Sequence, residues 1–141
     1  MIEVNYLAIV VATVGAMALG FAWYHPALFG KIWIREMGYS EKELKEDQKK
    51  MGKYYGMSFV VTVLMAYVLN HVIGLSMAFY NYAPIMTGIT SAFWMWLGFV
   101  APVQVTGVIF SRERNWKLLK INTGYQLVSL LVMGIVIGFM G

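Results

Sequence analysis

Residues Tyr55 to Gly74 read YGMSFVVTVLMAYVLNHVIG, with no Asp, Glu, Lys or Arg anywhere in the run. About 20 such residues, wound as a helix, cross the ~30 Å hydrocarbon core of a bilayer. Lipid offers the backbone no partner outside itself, so a run this long and continuous is a helix and not a strand. Three further runs share the character: Val4–Tyr24, Ile85–Phe110 and Leu118–Met140. The fold expected is therefore all-α, an integral membrane four-helix bundle. One transmembrane domain covers residues 1–141, with spans at about 4–24, 55–74, 85–110 and 118–140 and a helical cytoplasmic loop over 25–54. Composition points the same way. Hydrophobic residues make up 60% and charged residues 13%, against about 25% charged in a soluble domain, too few to cover the apolar surface of a soluble chain this size. The first run is not read as a signal peptide, because only Glu3 precedes it and it exceeds a typical h-region.

The charges that do occur are segregated. Of the eleven Lys and Arg residues, seven lie between Lys31 and Lys53 and four between Arg112 and Lys120. The segment between the second and third runs carries no charge. Basic residues in short loops stay on the cytoplasmic side, so both basic loops are expected inside and both termini outside, in the cell (inner) membrane. The net charge of +4 arises from these two loops. Anionic headgroups of the inner leaflet are the partner it implies, at about 1 kcal/mol per well-placed cation, and nucleic acid is not. There is no Cys, which excludes a disulfide framework or a thiolate metal site.

The first basic loop has an internal order. His25-Pro26 ends the first span, and Pro26 suits the opening position of a new helix. Over residues 26–37, Leu28, Phe29, Ile32, Trp33 and Met37 share a face while Lys31 and Arg35 share another. That is the pattern of a short amphipathic helix lying in the headgroup plane, with Trp23, Tyr24, His25, Pro26 and Trp33 as an interfacial anchor. Gly38 is a stop signal. Ser40 with Glu43 is a capping-box signature and predicts a charged helix from Glu41 to Lys53.

Within the spans, small residues recur every fourth position. Ala8, Ala12, Ala16 and Gly20 form one ridge, and Ser58, Thr62, Ala66 and Asn70 another. The last span carries Gly134 and Gly138. Such ridges let helix backbones approach in a solvent that supplies no hydrophobic drive between helices. A tight bundle follows. Gly134 and Gly138 serve either packing within the chain or a second protomer, and a homo-oligomer, a dimer first, is the expected assembly.

No Asp or Glu lies inside a span, and intramembrane ionisable groups are the usual mark of proton relays and ion-coupled transport. His25 and His71 stand roughly 24 Å apart along the normal at 1.5 Å per residue, too far to share a metal. No metal, no cofactor and no enzymatic activity are expected, since no nucleophile–base pair presents itself. One polar set does. Pro102 removes a backbone donor and leaves the Gly98 carbonyl without its normal partner. Gln104 follows on that span, Asn122 and Gln126 lie a turn apart on the last, and Ser58 and Thr62 reach the same half of the second. They either bond one another across the helices or converge on a neutral polar pocket.

The block Trp23-Tyr24-His25-Pro26-Ala27-Leu28-Phe29-Gly30-Lys31-Ile32-Trp33 resembles the Trp-Tyr…Pro…Phe-Gly-Lys…Trp block of the bacterial domain-of-unknown-function family numbered 1761. Gly98 to Pro102, Trp116-Lys117-Leu118 and Gly124-Tyr125-Gln126-Leu127 are similar to that family's later blocks. The resemblance implies a small four-span membrane protein and brings no activity or catalytic residue with it. Two functional readings stand. One is a membrane-embedded binding or permeation module for a neutral or amphipathic small molecule. The other is a non-catalytic structural or accessory protein that self-associates or docks on a larger complex.

Overall fold

The computed structural model describes residues 2–141. Its helices are α1 (Tyr6–Trp23), α2 (Gly30–Met37), α3 (Glu41–Lys49), α4 (Met51–Tyr80), α5 (Pro84–Met95), α6 (Ala101–Ile109) and α7 (Trp116–Met140), with a π-helical turn at Trp96–Val100 joining α5 to α6. No strand occurs among the described residues. Four helical stretches are long and apolar enough to cross a membrane: α1, α4, the α5–α6 stretch Pro84–Ile109, and α7. They run up and down in sequence order, so both basic segments fall at one end of the bundle.

Three boundaries differ from the sequence expectation. α4 extends from Met51 to Tyr80 instead of Tyr55 to Gly74, about 45 Å at 1.5 Å per residue. Gly74 does not stop it, because nothing between Leu75 and Tyr80 breaks a helix; Asn81 does, by taking the left-handed conformation (φ 52°). The connection to α5 is then only Asn81 to Ala83, with Pro84 in the first turn of the new helix. The short helix expected over residues 26–37 begins at Gly30, not Pro26. The Leu28 and Gly30 N–H groups both bond the His25 carbonyl, and Ala27 N–H bonds His25 Nδ1, so Pro26 to Phe29 form a turn. Gly38 stops α2 in the left-handed conformation (φ 74°). Ser40 and Glu43 form the reciprocal capping box that opens α3, but α3 ends at Lys49, four residues short of Lys53, and Lys50 (φ −103°, ψ 1°) separates it from α4.

α7 is the hub, packing on α1, α4, α5 and α6. Against α5 the backbones touch. A Cβ on Gly88 would lie 2.0 Å from the Gly134 carbonyl oxygen, one on Gly134 would lie 2.3 Å from the Gly88 oxygen, and one on Gly138 would lie 2.5 Å from the Pro84 oxygen. The Gly134–Gly138 pair is thus occupied inside the chain, and a second protomer has no access to it. Along α1, Ala8, Ala12 and Ala16 are fully buried, and Gly20 lies under the Tyr125 hydroxyl. On α4, Thr62, Ala66 and Asn70 are buried while Ser58 is exposed. Asn5 caps α1 by accepting from Ala8 N–H and donates its Nδ2 to the Met140 carbonyl, joining the start of α1 to the last turn of α7.

Candidate functional site

The basic end is organised by the Trp23–Trp33 block. A Cβ on Gly30 would sit 2.2 Å from the Tyr24 carbonyl oxygen, so only glycine lets the chain reverse this sharply. The reversal presents two aromatic donors to α7. Trp23 Nε1 donates to the Ile121 carbonyl (3.1 Å), and the Tyr24 hydroxyl donates to Asn122 Oδ1 (2.8 Å). Tyr125 answers from α7 by donating to the Ala16 carbonyl (3.1 Å). The Tyr24 ring packs edge-on against Tyr125 and against Trp33 of α2. Trp23, Tyr24 and Trp33 are half-buried, whereas His25 and Pro26 are exposed on the turn. Glu36 then ties α2 to the second basic loop, accepting from Asn115 Nδ2 (3.0 Å) and facing Lys117 Nζ (3.7 Å).

The five polar residues singled out in the sequence divide between two faces of α7. Gln104 and Asn122 line an open cleft of about 480 Å³ between α6 and α7. Ser58, Thr62 and Gln126 line a separate groove of about 230 Å³ between α4 and α7, together with Tyr125 and Ser129. Asn122 and Gln126 are a turn apart on α7, but α7 is flanked by α6 on one side and α4 on the other, and the two amides straddle its crest. In the groove the hydroxyls are engaged locally: Thr62 donates to the Ser58 carbonyl, and Ser58 reaches Met17 Sδ.

The cleft owes its floor to the π turn. Pro102 has no N–H to continue an α-helix, and the Ala101 N–H bonds the Trp96 carbonyl, five residues back. Trp96 and Gln104 are eight residues apart, which in a regular helix of 3.6 residues per turn would set them about 80° apart. The extra residue accommodated by the turn makes that separation equivalent to seven, about 20°. Both therefore face α7, and both bond the same residue: Trp96 Nε1 donates to the Thr123 carbonyl (2.9 Å), and the Thr123 hydroxyl donates to Gln104 Oε1. Below that point α6 stands away from the bundle, with no buried residue of its own. Leu118, Leu119 and Val108 supply the apolar walls, and Arg112 and Glu113 stand at the mouth.

Thr123, Arg112 and Asn115 were not anticipated as site residues. Asn115 was readable, since it caps α7 by accepting from Leu118 N–H. Thr123 was not, because its role exists only once the π turn has aimed Gln104 at it. No group of three or more His, Asp or Glu side chains is placed to hold a metal ion among the described residues. His71 Nδ1 donates to the Tyr67 carbonyl of its own helix (2.9 Å), and its ring packs on that of Tyr67.

No curated protein and no solved structure matches the chain. The family model described as protein of unknown function (DUF1761) matches residues 7–138. That match spans α1 through almost all of α7 and takes in the Trp23–Trp33 reversal, the π turn and both faces of the hub helix, so the chain belongs to the DUF1761 family.

Proposed function

We propose that the protein is a membrane-embedded binding module for an amphipathic small molecule, held in the cleft between α6 and α7. The observation that carries this is the pairing of a polar floor, Gln104 and Asn122, with apolar walls in one open space of about 480 Å³. Small-molecule sites have volumes of roughly 300–1,000 Å³, mostly apolar linings and a few convergent polar groups. Permeation through the bundle is not part of the proposal. The space among α1, α5 and α7 is filled by Ala8, Ala12, Ala16, Met133 and the Gly88–Gly134 contact. The protein would sit in the cell membrane with both basic loops inside, α2 lying in the headgroup plane on anionic lipid. It acts without catalysis.

Filling the cleft tests the reading. In Leu119→Trp the indole takes the volume of the wall, and a molecule retained by the wild-type protein in mild detergent should be lost, as read by native mass spectrometry. Retention that Leu119→Trp leaves unchanged would place the molecule elsewhere. A wild-type protein that retains no amphiphile at all would sink the proposal. The alternative is an accessory protein that self-associates as a dimer. It is favoured by α6, where a Cβ on Gly107, or on Gly98 just before it, would meet nothing within 4 Å.

A further inference from the structure

We infer that the cleft selects a ligand whose polar end is a hydrogen-bond acceptor: an amphiphile ending in a carboxylate, ester or phosphodiester, not one ending in an amine. This rests on the binding reading above and specifies its chemistry. The two floor amides, Gln104 and Asn122, set this preference. An amide side chain has one acceptor oxygen and one NH2 carrying two donors. At both positions the oxygen is already engaged by the protein, Gln104 Oε1 by the Thr123 hydroxyl and Asn122 Oδ1 by the Tyr24 hydroxyl. Rotating either amide by 180° would offer NH2 to the hydroxyl instead. The hydroxyl proton would then lose its acceptor, because among the described residues neither Tyr24 Oη nor Thr123 Oγ1 donates to anything else. The hydroxyls thus set the amide orientation.

That leaves the two NH2 groups. Neither donates to a protein acceptor, yet no buried side-chain nitrogen or oxygen lacks a partner among the described residues. Gln104 Nε2 and Asn122 Nδ2 are consequently accessible, and the open space beside both residues is the cleft. The other floor polar groups do not change the balance. The Asn115 amide is committed on both sides, its oxygen to Leu118 N–H and its nitrogen to Glu36. At the mouth, Arg112 and Glu113 are exposed and of opposite sign, so the rim has little net preference. The floor is a donor wall, and a donor wall recognises oxygen acceptors.

Conservative substitution separates this from a structural role. Gln104→Glu and Asn122→Asp keep an oxygen to accept from Thr123 and Tyr24 and replace only the donors facing the cleft. Delipidated protein in detergent is presented with three probes of equal chain length: hexadecanoate, its methyl ester and hexadecylammonium. Bound fractions are read by native mass spectrometry. The wild-type protein should favour the ionised acid and the ester over the ammonium by roughly tenfold, the size of one charge-assisted or well-made hydrogen bond. The double variant should reverse that order. Inorganic phosphate that displaces hexadecanoate would assign recognition to the head alone, and phosphate without effect would assign it to the whole amphiphile; both keep the acceptor rule. Equal binding of all three probes by the wild-type protein, or a preference for the ammonium, would overturn the inference while leaving a binding cleft. Failure of every probe to bind would instead remove the binding reading itself. The wild-type ranking decides the matter even if the double variant does not fold.

Discussion

Two glycines facing each other across α5 and α7 set how closely these two helices approach. The Gly88 and Gly134 backbones touch, and neither position has room for one methyl group. Overpacking a well-filled interface costs typically about 1–3 kcal/mol, sometimes more, and here the obstacle is backbone, which cannot rotate away. Gly88→Ala and Gly134→Ala should each lower the midpoint of unfolding in a detergent titration by an amount in that range. Gly107→Ala, on the open side of α6, should leave it nearly unchanged, since its Cβ meets nothing. Equal tolerance at all three positions would mean the α5–α7 seam is looser than described. At this scale the sequence was partly legible. The four-residue spacing marked Gly134 and Gly138 as contact residues; the matching pair on α5, Gly88 and Ala92, is a single step of the same spacing and was not singled out, although both residues meet Gly134.

The α5–α6 stretch is a single span interrupted by design of its own sequence. Pro102 was visible as a break, and its consequence was not. The π turn does not merely kink the helix; it rotates Gln104 onto the face of Trp96 so that both reach Thr123. The chain has no Cys, so engineered pairs report geometry cleanly. Cysteines at 104 and 123 should crosslink readily in the otherwise unaltered protein. Pro102→Ala lets the helix regain α-geometry and should swing position 104 away, lowering the yield several-fold. Deleting Gly98 in the Pro102→Ala background should restore it, because the separation from Trp96 returns to seven residues, about 20° off one face. A yield indifferent to Pro102→Ala would mean that packing against α7, not the proline, holds the turn.

For the whole molecule, the charge distribution predicts an orientation in the bilayer. Every Lys and Arg stands in the two segments that the fold gathers at one end, and the loop at the other end, Asn81 to Ala83, is uncharged. A reporter active only outside the cytoplasm should work when fused after Gly141 and fail when inserted at residue 48. The opposite result would invert the topology and put the cleft mouth, with Arg112 and Glu113, on the outer side. In the tie between the basic segments, Glu36 and Asn115 are half-buried, while the ion pair to the exposed Lys117 is of small energetic weight. The aromatic donors from Trp23 and Tyr24 to α7 are the stronger link between the same two regions.

The number of long apolar helices, the capping box at Ser40 and the stop at Gly38 could be read from the sequence, because each depends on local chemistry: run length against bilayer thickness, a side chain bonding a nearby backbone group, or a residue free to turn left-handed. The distribution of the polar residues was decided by tertiary structure. Helical period tells which residues share a face, but in lipid an apolar face is equally at home against a neighbour or against acyl chains, so the pattern does not say which face meets which helix. Counted along the spans, Gln104 and Gln126 reach comparable depth, yet α7 stands between α6 and α4 and parts Gln104 and Asn122 in a cleft from Gln126 in a groove. The Gly134–Gly138 ridge, equally suited by sequence to a second copy, is filled by α5 because the three-residue connection at Asn81 to Ala83 delivers that helix alongside α4 and onto α7.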